Sequence, residues 1–434
     1  LEINDLKKIL GLREGQVYND TSKLRYGSLI IMTDQDPDGS HIKGLVMNLI
    51  SRWPSLMNLD GFITSLLTPI VKTKQKTQVI SFYSIPQFET WKEENNNGKG
   101  WTIKYFKGLG TSTAKEAKEY FQDFKIVTYL WDKDGEQALD KAFNKSRADD
   151  RKLWLKEYDP SAILDFTQSH IMIKDFIDKE LIVFSQIDTK RSIPSMCDGL
   201  KPVQRKIVYC SFKRKLVKEI RVAQMAAYTS EHSVYHHGEA SLQDAITKMA
   251  QNYVGTNNIN LLHPQGQFGT RIKGGKDSAQ PRYINTFLSS ITTSVFHKDD
   301  LPIYNYLDDD GYSIEPEYYV PIIPLILVNG CIGIGTGYST FIPQYNPLDI
   351  IENIKRLIKV LPLKEMNPWY RGFDGYIIKL NSNSYLSRGK YTLVNDTTIE
   401  VTELPIGVWT EDYKKLLEDL IAGVPKKKGS KNTT

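Results

Sequence analysis

Three aspartates stand two residues apart after a short apolar run, and this spacing suits a metal ion. Asp34, Asp36 and Asp38 follow the strand-like segment 28–32. Alternate residues of an extended chain point to the same side, so the three carboxylates are predicted to converge. Carboxylates held close together repel each other unless a cation joins them, and Mg²⁺ suits open carboxylate sites. We therefore expect a Mg²⁺ site here.

Two other interpretations of this acidic segment stay open. Its D-x-D-x-D-G pattern also begins a calcium-binding EF-hand loop. That loop needs a glutamate at its twelfth position, where this chain has Leu45, and a helix in front, where this chain has a strand pattern. The segment could also be a solvated acidic turn that binds no metal. Metal-assisted phosphate chemistry is the interpretation that we favour.

A tyrosine next to an arginine is the second candidate chemical group. Tyr283 follows Arg282 shortly after a basic glycine turn at 274–277. A phenol has a pKa of about 10, so as a nucleophile it needs a base or nearby cations. Arg282 and the pair His236–His237 could supply these groups, and an arginine can also neutralise a phosphate in the transition state. The alternative is ordinary packing, which is the usual role of a tyrosine.

The segment 328–337 alternates glycine with small and apolar residues. It lacks the Lys-Ser/Thr ending of a P-loop and the βαβ context of a dinucleotide-binding turn, so nucleotide binding is disfavoured. Glycines can instead present one apolar side chain on exposed backbone, and an isoleucine inserted between base steps kinks a duplex. Ile334 is the candidate wedge, and a buried turn is the alternative.

The composition is that of a folded multidomain protein. The chain has 434 residues, 40% hydrophobic and 25% charged, which excludes a disordered chain or a single small scaffold. Its net charge of +5 is weak evidence for a polyanionic partner. Three scattered cysteines favour a reducing compartment. The uncharged run 318–348 is broken by prolines and glycines, so we expect a buried strand and a glycine loop rather than a membrane span.

The elements that must hold these groups change in character along the chain. Strand-like and helical runs alternate up to about residue 150, as in an α/β domain. Residues 151–185 are predicted to form a connecting helical segment. Basic amphipathic helices follow, and the one that begins at Lys201–Pro202 is predicted to turn Arg205 and Lys206 outward. Strands and helices mix from about residue 306, and the Lys-rich stretch 426–431 is predicted to be a flexible tail.

Motifs along the chain resemble those of one enzyme family. Leu24–Gly27, the segment 34–41 and Tyr105–Ser112 resemble the Toprim metal-binding domain of eukaryotic and viral-type DNA topoisomerase II, a type IIA enzyme. Later motifs resemble the winged-helix cleavage domain of the same family. These are Ser192–Pro194, Asp198–Gly199, Lys201–Lys206, Tyr235–Glu239, Phe268–Arg271, Gly275–Asp277 and Arg282–Tyr283.

The resemblance implies a multidomain fold that combines α/β and α+β parts. A partial, Rossmann-like Toprim domain would span residues 1–150 and the connecting helical segment residues 151–185. A winged-helix, CAP-like domain would span residues 186–305. A partial mixed α+β tower domain with the basic tail would span residues 306–434.

The resemblance also implies roles for single residues. Tyr283 would attack the DNA backbone, Arg282 would stabilise the phosphate, and His236 would donate a hydrogen bond in the transition state. The aspartates would bind Mg²⁺. The implied DNA contacts are Arg191, Lys201, Arg205, His237, Lys276 and the wedge Ile334. Where the family carries small alanines this chain has Gln280–Pro281, which stiffens the approach to Tyr283.

The implied activity is that of a type II topoisomerase core, which binds and bends double-stranded DNA. A transient double-strand break, held by 5′-phosphotyrosyl links, would let a second duplex pass. ATP would bind outside this chain, and each active site would be shared between the subunits of a homodimer. The start at Leu1 suggests a fragment without the family's Toprim glutamate, so the chain alone is expected to cleave poorly. A cellular version would act in the nucleus, and one from a large DNA virus in cytoplasmic replication sites of the host.

Two other functions stay open at this stage. A non-catalytic architectural DNA-binding protein would keep the winged helix and the wedge without cleaving. A Toprim nuclease would cut through water and would leave no protein on the DNA ends.

Overall fold

A computed structural model describes residues 2–423 except 107, 109, 111, 123 and 310. The predicted tail at 426–431 and three residues of the 105–112 motif therefore lie outside the described residues. The chain divides into two compact units, Leu1–Thr189 with Gly335–Tyr338 and Lys190–Ile334 with Ser339–Thr434. The domain boundaries inferred from the sequence are finer than this division and stay predictions.

The first unit contains a mixed sheet and a small antiparallel sheet among helices. Its helices are α1 (Glu2–Leu10), α2 (Pro37–Ile50), α3 (Pro54–Met57), α4 (Ile85–Glu94), α5 (Ala114–Gln122), α6 (Lys133–Phe143), α7 (Ala148–Lys156), α8 (Ile173–Asp175) and α9 (Ile182–Ser192), which runs on past the unit's end. Its strands are β1 (Leu29–Ile31), β2 (Ile63–Leu66), β3 (Val71–Gln75), β4 (Gln78–Phe82), β5 (Thr102–Tyr105), β6 (Ile126–Leu130) and β7 (His170–Met172).

The strand order fixes the edge at which the acidic segment emerges. The four-stranded sheet has the order β1-β2-β6-β7, with β1 parallel to β2, β2 antiparallel to β6, and β6 parallel to β7. The second sheet has the antiparallel order β4-β3-β5. Because β1 is an edge strand, the segment that follows it leaves the sheet at that edge.

The predicted connecting helix is present. The helix α8, a π-helical stretch over Phe176–Leu181, and α9 follow each other without interruption. Ile173, Ile177 and Leu181, which the sequence places at helical spacing, are all buried in the core of the first unit. The apolar stripe therefore formed a helix for the reason that the sequence indicates.

The second unit begins with helices and a small sheet and ends in hairpins. Its helices are α10 (Pro202–Lys213), α11 (Val222–His232), α12 (Glu239–Ala250), α13 (Thr292–Val295), α14 (Leu325–Val328), α15 (Pro347–Ile358) and α16 (Thr410–Ile421). Its strands are β8 (Ile220–Arg221), β9 (Leu262–Gln265), β10 (Asn285–Leu288), β11 (Tyr306–Asp309), β12 (Tyr312–Pro316), β13 (Cys331–Ile334), β14 (Ser339–Ile342), β15 (Tyr376–Asn381), β16 (Ser384–Arg388), β17 (Lys390–Asn395) and β18 (Thr398–Glu403).

Helices α10, α11 and α12 pack around buried apolar residues and lead into the antiparallel sheet β8-β10-β9, as the predicted winged helix requires. Ile207, Met225 and Ile246, one from each helix, are fully buried. The remaining strands pair as the hairpins β11-β12, β13-β14, β15-β16 and β17-β18. Within the described ranges no helix is both long and apolar enough to cross a membrane.

The predicted buried strand in the uncharged run is wrong. Leu325–Val328 forms the short helix α14, with Pro324 as its N-terminal cap residue. Proline has no N–H to donate to a sheet and its fixed φ suits the start of a helix, so a short apolar run behind it can turn helical. The glycine segment that follows is not a loop alone, because Cys331–Ile334 pairs with Ser339–Ile342 as an antiparallel hairpin.

The prediction that Arg205 and Lys206 face outward on α10 is also wrong. The Arg205 side chain is only 7% exposed and its Nε and Nη2 donate to the two carboxylate oxygens of Asp198 at 2.7 and 3.0 Å. Asp198, which is fully buried, also accepts the backbone N–H of Tyr319. Lys206 pairs with the buried Glu315. These partners lie elsewhere in the chain, so helical periodicity alone could not reveal them.

We expect Asp198→Asn to lower the free energy of unfolding by about 3–5 kcal/mol, because it leaves the buried Arg205 guanidinium without its charge partner. Urea denaturation followed by circular dichroism measures this. Asp244→Asn is the matched control, since Asp244 pairs with Lys248 on an exposed helix surface and such a pair contributes less than about 1 kcal/mol. Equal losses in the two variants would contradict a structural role for the buried pair.

Candidate functional site

The acidic segment is a turn from strand to helix, not the extended run that the spacing predicted. Strand β1 ends at Ile31, and Pro37 begins α2. Asp36 is the N-cap, and its Oδ1 accepts the backbone N–H of Gly39 at 2.6 Å. Asp38 lies inside the first helical turn. A proline directly after an aspartate favours a helix start, so the third carboxylate no longer alternates with the first two.

Two glycines give the carboxyl group and the backbone of Asp34 the space they occupy. A Cβ on Gly39 would overlap the carbonyl oxygen of Asp34. A Cβ on Gly108 would lie 2.7–2.8 Å from the Asp34 carboxylate, and Gly108 has a φ of +148°, which side chains rarely adopt. The part of the 105–112 motif that is described therefore approaches Asp34 closely, although the two segments lie far apart in sequence.

The electrostatics around Asp36 are partly balanced by the protein itself. Lys43 on α2 is buried and its Nζ donates to Glu180 at 2.7 Å. Burial alone would lower the pKa of Lys43, but the charges of Glu180 and, more weakly, Asp36 raise it above its ordinary value. This buried ammonium group offsets some of the repulsion among the nearby carboxylates.

The oxygen-only donor set of Asp34, Asp36 and Asp38 fits a hard cation such as Mg²⁺. In the part of the chain that the structure describes, no three His, Cys, Asp or Glu side chains are gathered as a metal site. A cation bound by these aspartates would therefore need other ligands in addition, and the Mg²⁺ site stays a prediction.

Tyr283 stands in solvent on a rigid backbone. Its side chain is 70% exposed, and the Arg282 guanidinium carbon lies 4.9 Å from the centre of its ring. The Tyr283 N–H donates to the carbonyl of Gln280 at 2.9 Å. The next residue, Ile284, is buried and leads into β10, the central strand of the small sheet. The backbone is thus fixed on both sides while the phenol stays accessible.

The segment around Gln280–Pro281 is tied to α11. The carbonyl of Pro281 accepts the N–H of Ala223 at 3.1 Å, and the carbonyl of Ile284 accepts the N–H of Val222 at 3.0 Å. The proline at a position where the family carries a smaller residue therefore coexists with an ordered turn. These two bonds bracket Tyr283.

The basic glycine turn presents Lys276 to solvent. Asp277 accepts from Thr270 twice, from its N–H at 2.9 Å and from its hydroxyl at 2.6 Å. The Thr270 hydroxyl is the largest influence that lowers the pKa of Asp277. Gly275 has a φ of +83°, and a Cβ there would meet Gln251 and Tyr253. The turn is held from inside, which leaves Lys276 exposed.

The other predicted DNA contacts divide into two groups. Lys201 caps α10 with its N–H donating to Gln204, Arg191 is half-buried near the end of α9, and His237 is exposed with its ring against Tyr235. All three stay candidates. Arg205 does not, because its guanidinium is buried against Asp198.

His236 has a carboxylate partner that sequence reasoning missed. Its Nε2 lies 3.1 Å from Oδ2 of Asp309, at the end of strand β11. The two residues are 73 positions apart, and no spacing or motif signals the contact. Lys206 and Glu315 were missed as a pair for the same reason.

Ile334 is on an exposed apolar face. Its side chain is 77% exposed, Ile332 two residues before it is 65% exposed, and Phe341 pairs opposite Ile332. On the opposite face Gly333 packs so closely against the carbonyl of Ser192 that a Cβ would not fit. The alternative of a buried turn is therefore wrong for Ile334.

The fold and these groups define a class of DNA-handling proteins, and the comparisons name the family. Residues 191–432 match the DNA gyrase/topoisomerase IV family, and residues 66–189 match the "C-terminal associated domain of TOPRIM". The first match covers more than half of the chain. The chain therefore belongs to the DNA gyrase/topoisomerase IV family.

Similar proteins come from eukaryotes and from a virus. The chain is 52% identical to a probable DNA topoisomerase 2 of Dictyostelium discoideum over 96% of this chain and 28% of that protein. It is 46% identical to DNA topoisomerase 2 of Acanthamoeba polyphaga mimivirus over 97% of this chain and 38% of that protein. This chain thus spans well under half the length of these relatives.

A solved structure matches over nearly the whole chain. It is the crystal structure of the Plasmodium falciparum topoisomerase II DNA-binding, cleavage and re-ligation domain, with a TM-score of 0.75 and 51% identity. The match covers 97% of this chain and 58% of that chain. The multidomain fold that combines α/β and α+β parts is thereby confirmed.

We expect Gly39→Ala to destabilise the first unit by about 1–3 kcal/mol, because its new methyl group would overlap the Asp34 carbonyl. Alanine would otherwise favour this helical position, so a loss of stability reports the close approach. Thermal unfolding measures it. Gly110→Ala is the control, since a Cβ at Gly110 meets nothing within 4 Å, and an unchanged Gly39→Ala variant would show that the turn is looser than described.

Proposed function

We propose that this chain is the DNA-binding and cleavage core of a type II DNA topoisomerase. The observation that carries the proposal is Tyr283, exposed to solvent, stacked under Arg282 and fixed by backbone hydrogen bonds on both sides. The family membership and the relatives' names support it. An exposed nucleophile on an ordered backbone is what in-line attack on a bound phosphate needs.

The proposed step exchanges one phosphate ester for another. The Tyr283 oxygen loses its proton and bonds to a backbone phosphorus, the bond from phosphorus to the 3′ oxygen breaks, and that oxygen takes up a proton. The protein is then joined to the 5′ end. Because the phosphotyrosyl ester keeps the energy of the cut bond, the reverse attack by the 3′ hydroxyl reseals the strand without a further reactant.

The surrounding side chains act on charge and position. Arg282 neutralises developing negative charge at the phosphate, and His236 donates a hydrogen bond to it. Arg191, Lys201, His237 and Lys276 contact the DNA backbone, which provides affinity without sequence readout. Asp34, Asp36 and Asp38 hold Mg²⁺, which stabilises charge during phosphate transfer.

The remaining proposals concern the longer protein. Two subunits form a homodimer, each active site combines Tyr283 of one subunit with the acidic segment of the other, and ATP bound outside this chain drives passage of a second duplex. The relatives come from both eukaryotes and a large virus. Both the nucleus and a viral replication site in the cytoplasm are therefore consistent locations.

We expect Tyr283→Phe to abolish covalent attachment to DNA while DNA binding stays within about twofold, because the ring and its stacking on Arg282 remain and only the attacking oxygen is lost. The full-length protein is incubated with supercoiled DNA and Mg²⁺, and protein-linked DNA is measured on a denaturing gel. A chelator should also suppress the adduct.

The outcomes separate the candidate functions. Tyr312→Phe is the matched control, since Tyr312 is similarly exposed and should keep full adduct formation. Adduct in Tyr283→Phe would refute the proposed role of Tyr283. Cut DNA without adduct would indicate a nuclease that uses water, and binding with neither would indicate an architectural protein.

We expect Ile334→Ala to reduce DNA bending with a stability change below about 0.5 kcal/mol, because the side chain is exposed and makes little of the core. The wedge would give up its place between base steps, and the energy of bending, up to several kcal/mol, would then fall on the basic surface alone. Energy transfer between dyes at the two ends of a short duplex reports the bend. Leu348→Ala, also exposed, is the control, and equal bending by both variants would contradict the wedge.

A further inference from the structure

His236 sits at the end of an unusual turn. The turn follows α11, and Val234 within it has a φ of +47°. A β-branched residue in the left-handed region is strained, and such a residue persists only when its surroundings hold it there. The contacts that hold this turn therefore decide where the His236 ring points.

The hairpin β11-β12 contacts the turn at the imidazole ring. Asp309, at the end of β11, places Oδ2 3.1 Å from Nε2 of His236. The His236 and Asp309 side chains are 44% and 29% exposed, so the pair is partly screened by water rather than buried. A carboxylate at this distance fixes the ring plane and the nitrogen that carries the proton.

The same hairpin contacts the turn at its backbone through Lys206. Lys206 Nζ donates to the carbonyl of Ser233 at 2.7 Å, immediately before Val234. It also donates to Oε2 of Glu315 on β12 at 2.8 Å. Glu315 is buried and Lys206 nearly so. One ammonium group thus joins the start of the strained turn to the second strand of the hairpin.

We propose that the hairpin β11-β12 positions His236 for the cleavage step, with Asp309 orienting its ring and the Lys206–Glu315 pair fixing the turn that carries it. This inference rests on the proposed function of His236 as a hydrogen-bond donor to the phosphate. Asp309 and Lys206 act through His236 and do not themselves touch the reacting atoms.

The geometry explains why a carboxylate belongs near a DNA-binding surface, where it would otherwise repel phosphate. Asp309 meets a histidine instead of facing solvent alone, and His236 is thereby kept from choosing among rotamers. Pre-orientation of a single donor by a carboxylate is a common way to hold an imidazole in place.

The test is a double-mutant cycle on the full-length protein, with covalent adduct formation and DNA affinity measured separately. Asp309→Asn is expected to slow adduct formation by about tenfold, a coupling typical of contacting residues, with DNA affinity unchanged. In a His236→Ala background the same change should have no further effect. Asp309→Glu, which keeps the carboxylate, should restore most of the rate.

A second His–Asp pair provides the matched control. His297 and Asp299 lie 3.7 Å apart at an exposed site in the same unit, so Asp299→Asn should leave adduct formation unchanged. Nitrogen-15 spectra of histidine-labelled protein give a readout that does not depend on cleavage, because Asp309→Asn should shift the ring signals of His236 and leave those of His297 in place.

The outcomes keep this inference and the proposed function apart. If wild-type protein forms no adduct, the proposed function fails, and the nitrogen-15 spectra alone then decide whether Asp309 orients His236. If adduct forms and Asp309→Asn slows it equally with and without His236, or leaves the His236 signals unmoved, Asp309 does not act through the ring. Lys206→Met should reduce adduct formation without loss of the folded state, and full activity in that variant would remove the pair from the proposal.

Discussion

The attacking phenol has to stand in solvent where a duplex can reach it, yet it cannot be held there by burial of its own ring. The structure meets this constraint by fixing the backbone on both sides of Tyr283. Ile284 is buried, and the carbonyls of Gln280, Pro281 and Ile284 all accept backbone N–H groups. Order therefore comes from the chain around the side chain, and exposure costs little precision in its placement.

Buried charge pairs do related work beneath this surface. Asp198 with Arg205 and Lys206 with Glu315 both join α10 to segments more than a hundred residues away, around Tyr319 and at β12. A pair of this kind contributes little net stability when intact, but removing one partner leaves an uncompensated charge. Such pairs therefore fix which segments meet, and here they place the helices, the hairpin β11-β12 and the histidine turn in one arrangement.

The acidic segment shows the opposite balance between local and long-range forces. The Asp36 cap and the Pro37 helix start are local signals, and they turn the chain away from the extended form that alternate spacing suggests. What holds Asp34 is not local, because Gly108 approaches its carboxylate from a distant segment. The resemblance names both segments together, and only the folded chain shows why a glycine is needed between them.

The sequence by itself determined the parts whose signals lie within a few residues. These include the amphipathic stripes of α10 and α12, the helix through Ile173 and Leu181, the order of the motifs, and the identity of the family through Tyr283 and the acidic segment. Only the tertiary structure decided that Arg205 faces inward, that Leu325–Val328 is helical, and that His236 meets Asp309. The reason is physical: periodicity reports which face of an element is apolar, whereas the partner of a charged side chain depends on which distant segment packs beside it.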